Sequence, residues 1–164
     1  MIDSFLLSDR EYGNALNILV IACVDVVIIH DSKILLTKRR EHPIQGYWWV
    51  FGGRVFKGES LKQTAQRGLN REVGLNIVDE SRFKEVGTFN LIWPSRREFL
   101  QENGCHHLLI AHLIEITDEE FNKIELIGGN PEYHEWFKFE PNRLFLPELN
   151  GIIAKSRQLL SINK

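Results

Sequence analysis

Residues 52 to 75 read GGRVFKGESLKQTAQRGLNREVGL, a loop running into a helix. Gly52 and Gly53, just ahead of the helix, leave backbone N–H and C=O groups open to a ligand, and Arg54 and Lys57 beside them offer charge to phosphate oxygens. The stretch holds only two acids, Glu59 and Glu72. On a helix, positions 68, 71 and 72 share a face through the i, i+3 and i+4 relations. Glu72 is the only acid of the three, because Gly68 and Arg71 fill the other two places. Magnesium accepts so sparse a set: it often takes only roughly one or two carboxylates, with water and substrate phosphate oxygens completing its shell. The same residues also describe a capped surface helix with solvated Glu and Arg side chains. Spacing alone leaves these two readings level.

Other residues could join such a site. Asp25 interrupts the apolar run NILVIACVDVVIIHD. A buried unpaired carboxylate is costly, which favours a role near a ligand over a purely internal pairing. Arg39 and Arg40 close the stretch KILLTKRR, either as a charged guard on a strand edge or, for Arg39, as a ligand contact. His106, His107 and His112 fall on one strand, with His107 on the opposite face from the other two, so they cannot converge on a zinc ion. His107 shares its face with Cys105 and can line a pocket. Trp48, Trp49, Trp93 and Phe51 read first as core and second as stacking surfaces for a nucleobase.

The elements that must hold these residues are legible in outline. NILVIACVDVVIIHD is rich in β-branched residues and ends in a turn-like HDSK; KILLTKRR then begins a second strand, which predicts a hairpin. GYWWVFGGRVF reads as a third extended piece. Ser60 and Gln63 form a capping-box pattern; Leu61, Ala65, Leu69 and Val73 repeat at helical spacing, and Gly74 ends the run. Further strands are predicted at RFKEVGTFNLIW, CHHLLIAHLIEI and YHEWFKFE, and a closing amphipathic helix over about residues 147–160. Irregular alternation of strands and helices predicts an α/β sandwich with a mixed sheet. The chain's 164 residues suit a single domain.

Bulk properties exclude several classes. With 43% hydrophobic and 26% charged residues and a net charge of -2, nothing points to a nucleic-acid or membrane-surface binder. The longest apolar run, Ile18 to Ile29, contains Asp25 and is shorter than the roughly 20 residues a membrane span needs. Cys23 and Cys105 sit in apolar runs without C-x-x-C spacing, and the N-terminus lacks a signal-peptide pattern; together they predict a reduced, cytoplasmic setting.

The stretch from 53 to 75 resembles the Nudix box, G-x5-E-x7-R-E-U-x-E-E-x-G-U with U apolar: Gly53, Glu59, Arg67, Leu69, Glu72, Gly74 and Leu75 match in register. Gly68 and Arg71 depart from it where the standard box has metal-binding glutamates. One branch, the GDP-mannose mannosyl hydrolases, lacks acids at those same two places and cuts GDP-hexoses between sugar and diphosphate. LLTKRREHPIQGYWWVFGGRV and LSDREYGNALNILVIACVD also resemble that branch, so the likeness covers about residues 7 to 145 and is strongest from 35 to 75. It implies a Nudix-type α/β/α sandwich, magnesium as cofactor, a small-molecule nucleotide sugar or other nucleoside diphosphate derivative as substrate, and a homodimer. Glu72 matches the metal-binding glutamate and Gly52 the glycine whose carbonyl also holds the ion. Arg39 and Arg54 match arginines that neutralise the diphosphate, Arg67 the box arginine, and Asp25 a strand aspartate near the sugar or base.

The second half agrees less well. Counting back from Trp136, the branch's catalytic histidine falls on Pro131 and its glutamine ligand on Asn130. A tyrosine contacting the diphosphate falls on His107, and a histidine near GTFNLIW on Leu91. His134 is the nearest histidine to the late loop and the favoured general base, ahead of Glu132 or Glu135; an ordinary strand residue packed near Trp136 is the competing reading. Three functions stay open: hydrolysis at the anomeric carbon, pyrophosphate cleavage of another nucleoside diphosphate derivative, and a nucleotide-binding module without turnover.

Overall fold

A computed structural model describes residues 7–126 and 133–162. The β-branched run forms β1 (Ile21–His30), the strand on which the sheet is built. Val24, Val26 and Ile28 feed one core, and Cys23, Val27 and Ile29 feed the other, as expected of a strand covered on both faces. Asp31 and Ser32 both take positive φ, 47° and 60°. That pair matches a two-residue hairpin turn, and the chain returns as β2 (Lys33–Lys38).

The third extended stretch is not one strand. It divides at Val50 into β3 (Trp48–Trp49), which pairs with β2, and β4 (Phe51–Arg54), which pairs with β1. One long edge of β1 is taken by β6 (Cys105–Glu115) in parallel, so β2 and β4 must share the other edge end to end. The sheet is completed by β5 (Lys84–Trp93) beside β6 and by β7 (His134–Lys138) on the outer edge of β2.

Helix α1 (Asp9–Leu16), which the sequence pattern did not announce, is opened by a Ser8–Glu11 capping box. The box helix, α2 (Leu61–Val73), starts at the predicted Ser60–Gln63 capping box and stops where Gly74 turns left-handed at φ 70°. It buries Ala65, Leu69 and Val73 against Val24, Val26 and Phe51. Leu61, expected on that stripe, is instead exposed, and Thr64 and Gly68 are buried on it. After a short turn of helix, α3 (Asp118–Phe121), the chain ends in α4 (Pro147–Ile162), whose Leu149, Ile152 and Ile153 cover the opposite face. Helices on both faces of a mixed sheet make the α/β/α sandwich. Among the described residues no helix is long and apolar enough to cross a membrane. Burial pushes the thiols of Cys23 and Cys105 up to about 12 and about 11, so both behave as small hydrophobes.

Candidate functional site

Of the two acids in the box, Glu59 is structural. Its carboxylate accepts from the Phe56 N–H at 3.0 Å, the Thr64 hydroxyl at 3.0 Å, and Arg67 Nε and Nη2 at 2.6 and 2.9 Å. The Arg67 bonds, chief among these, hold the carboxyl down at about 2. Arg67 also donates to the Arg54 carbonyl at 2.8 Å and lies 4.0 Å from the centre of the Phe56 ring. The clamp ties the loop to the helix and so fixes the backbone that carries Arg54.

Where α2 crosses β4 there is almost no gap. A Cβ on Gly68 would lie 3.3 Å from the Gly52 Cα, and one on Gly52 would collide with the Val24 carbonyl and the Asp25 carboxylate. One turn beyond Gly68, Arg71 reaches back across β4. Its Nη2 donates to the Gly52 carbonyl at 2.8 Å and to Glu72 Oε1 at 2.5 Å. The two groups that the family resemblance casts as magnesium ligands are thus already joined by a guanidinium. As folded, the one carboxylate and the one carbonyl are both held by a cation, so they do not make a fitting seat for a resident divalent ion, which would have to displace the guanidinium.

A second group of side chains gathers on the α4 side of the sheet. Asp25 Oδ2 accepts from Trp49 Nε1 at 2.8 Å. Burial pushes the Asp25 carboxyl up to about 7, against the Trp49 bond and Arg39, which pull it down. The residue keeps some solvent contact, so its proton can exchange. Arg39 is pinned by backbone bonds to Tyr47 and Gly46 at 2.9 and 2.8 Å, and its buried Nε has no hydrogen-bond partner among the described residues. Arg54 lies over the Tyr12 ring at 4.0 Å. Burial pushes the His107 imidazole below its ordinary value, helped by Arg54 and Arg39 and opposed by Glu98. Arg39 acts on both Asp25 and His107, Arg54 acts on His107, and Asp25 and both arginines act on Cys23, so these residues share one electrostatic neighbourhood.

His134 stands apart from them. It opens β7 opposite Thr37, and its ring stacks on Phe51 at 5.9 Å and 6°, which puts it in the α2 layer. Glu135 is exposed on the same strand, and Leu91 is part of the core. Asn130, Pro131 and Glu132 lie outside the described residues.

Two contributors had no readable signal. Tyr12 comes from α1, and α1 is held by Arg96, a fully buried side chain. The Arg96 guanidinium donates to the carbonyls of Gly13, Phe99 and Gly104 and to Asn17 Oδ1, at 2.7–3.1 Å. In the sequence, nothing in PSRREF marks Arg96 as a buried side chain. Arg71 was readable only as a missing acid.

The NUDIX domain model matches residues 21–159. The low-salt glycan biosynthesis protein Agl8 of Haloferax volcanii is 36% identical over 111 residues, 68% of this chain and 69% of that protein. An ADP-ribose pyrophosphatase of Methanocaldococcus jannaschii is 40% identical over 52 residues, 32% of this chain and 31% of its own length. Among solved structures, a MutT NUDIX hydrolase from Burkholderia pseudomallei aligns with a TM-score of 0.63 over 84% of this chain and 98% of that one, at 20% identity, a likeness of fold. With the domain model spanning most of its length and a relative of this similarity, the chain belongs to the NUDIX family.

Proposed function

We propose that the chain is a hydrolase of a nucleotide sugar, a GDP-hexose, that releases the sugar and the nucleoside diphosphate. The observation that carries this reading is the gathering, around Cys23, of Arg39, Arg54 and a carboxyl that burial pushes up to about 7. Arg39 and Arg54 would hold the diphosphate, and their charge gains most when the bond to the sugar breaks and the diphosphate leaves. Water would attack the anomeric carbon: its oxygen forms the new C–O bond, the diphosphate departs with the electrons of the old one, and a carboxylate takes the proton. Asp25 suits that last task, since a base works best when its pKa lies near the working pH. His134 is the alternative acceptor, reached if the substrate lies against the α2 layer. The glycan-biosynthesis name of the Haloferax relative agrees with a sugar-bearing substrate.

Pyrophosphate cleavage is the second reading, favoured by the name of the Methanocaldococcus relative. Divalent ions such as magnesium serve Nudix hydrolases in general, and that reaction leans on the acids absent at Gly68 and Arg71. A panel of nucleotide sugars, incubated with and without magnesium and analysed for products, separates the readings. Free sugar plus nucleoside diphosphate is expected. Sugar phosphate plus nucleoside monophosphate would move the attack to phosphorus, and no turnover of any member would leave a binding module.

A further inference from the structure

We propose that Arg71 is the built-in cation of this box, its guanidinium standing between the Gly52 carbonyl and Glu72 in place of a divalent ion and offering its remaining N–H groups to the diphosphate. For the diphosphate this rests on the nucleotide-sugar reading; for the ion it does not.

The geometry is specific to this chain. Neighbouring residues on a helix do not normally face each other, yet Arg71 and Glu72 meet through Nη2, the same nitrogen that donates to the Gly52 carbonyl. The residue facing the guanidinium from β4 is a glycine: a Cβ on Gly53 would sit 3.3 Å from Arg71 Nη2. Gly68 leaves α2 flush against Gly52, which closes the seat of the box's other missing acid and brings position 71 within reach of the carbonyl. The two changes therefore work together.

The donor count fits the role. Arginine carries five N–H donors in a planar fork that matches phosphate oxygens. Nη2 spends its two on Gly52 and Glu72. Nη1 and Nε stay free of protein acceptors among the described residues, on a side chain 53% exposed. Glu72 steers the cation and leaves its outer edge for a ligand. A divalent ion would need the same two oxygens, would meet a neutralised carboxylate, and would be repelled by the guanidinium that neutralises it. Ion and arginine compete for one place.

Two measurements test this on the full chain, on the unmodified protein and on Arg71→Ala and Arg71→Glu: manganese binding, counted by the resonance of the free ion, and GDP affinity by calorimetry in EDTA or in magnesium. The unmodified protein should show no manganese site at sub-millimolar ion and should bind GDP equally well in both media. Arg71→Ala should lose about tenfold or more of its GDP affinity in EDTA, the loss of hydrogen bonds to a charged group. Arg71→Glu should gain a manganese site that Glu72→Gln removes. A manganese site in the unmodified protein that depends on Glu72 would overturn the proposal, as would undiminished GDP binding by Arg71→Ala in EDTA. If no form binds GDP, the diphosphate half falls together with the nucleotide-sugar reading, and the manganese counts alone decide whether Arg71 holds the ion's place.

Discussion

At Asp25 a single carboxyl is held between burial and Glu72, which raise it, and Trp49, Arg39 and Arg71, which lower it. Burial raises it to about 7 from an ordinary value of 3.8, so the folded chain keeps a proton that the unfolded chain has already released. Its contribution to stability is therefore complete below about pH 4 and is lost as pH rises through about 7. Asp25→Asn should compare better with the unmodified protein at pH 8 than at pH 5, read from urea unfolding at both; an equal difference at the two would mean the carboxyl titrates normally. The same variant should remove any inflection near pH 7 from the rate profile. Arg54→Ala belongs to this scale too. It should cost on the order of 1.5–3 kcal/mol in diphosphate binding, the range for hydrogen bonds to charged groups. Equal affinity of the unmodified protein for a nucleoside and its diphosphate would contradict that role. Gly52 and Glu72 could be picked out from spacing and resemblance. What Arg71 does could not, because a motif records which acid is gone and not where the new side chain reaches.

At the level of elements, α2 and its loop were largely open to sequence reasoning, since caps, the apolar stripe and the terminating glycine are local signals. The division of the third strand at Val50 was not: it follows from β2 and β4 sharing one edge of β1, a fact about partners far along the chain. The same holds for α1, fastened by contacts between Gly13 or Asn17 and Arg96. Arg96→Ala would strand several buried acceptors at once, and a loss of about 3 kcal/mol or more is expected in urea unfolding, since each unsatisfied group costs roughly 1–3 kcal/mol. Because α1 carries Tyr12 beneath Arg54, that variant should also weaken diphosphate binding more than its stability alone would explain. Gly68→Ala tests the α2–β4 contact. In an open helix the change gains about 1 kcal/mol; here the crowding on Gly52 should cancel that gain. A full gain would show that the helix has room to spare.

Across the whole molecule, two carboxylate–arginine clamps set the acid limit. Glu59 is held at about 2 by Arg67, and Glu120 at about 2 by Arg82, whose Nη1 and Nη2 it accepts at 2.5 and 2.8 Å. Carboxyls lowered in the folded state stabilise it above their ordinary value of 4.5, and that stabilisation disappears as pH falls toward about 2. Glu59→Gln should therefore lie about 2 kcal/mol below the unmodified protein at neutral pH and converge with it toward pH 2, a gap in the range of a charged hydrogen bond. A constant gap would assign the loss to packing. The clamps stand in different layers of sequence, residues 59 to 67 and 82 to 120, so the second was invisible to any motif. The family resemblance implies a homodimer, and light scattering should return about twice the 19.1 kDa of one chain.

The contact of Gly68 on Gly52 also bears on the history open to this sequence. A side chain at position 68 presses on the Gly52 Cα, and Gly52 is the same residue whose carbonyl Arg71 holds. An acid entering position 71 first removes the cation while the neighbouring seat is still closed. The two departures from the standard box are thus mechanically linked: Gly52 touches both, so a change at either position is felt at the other.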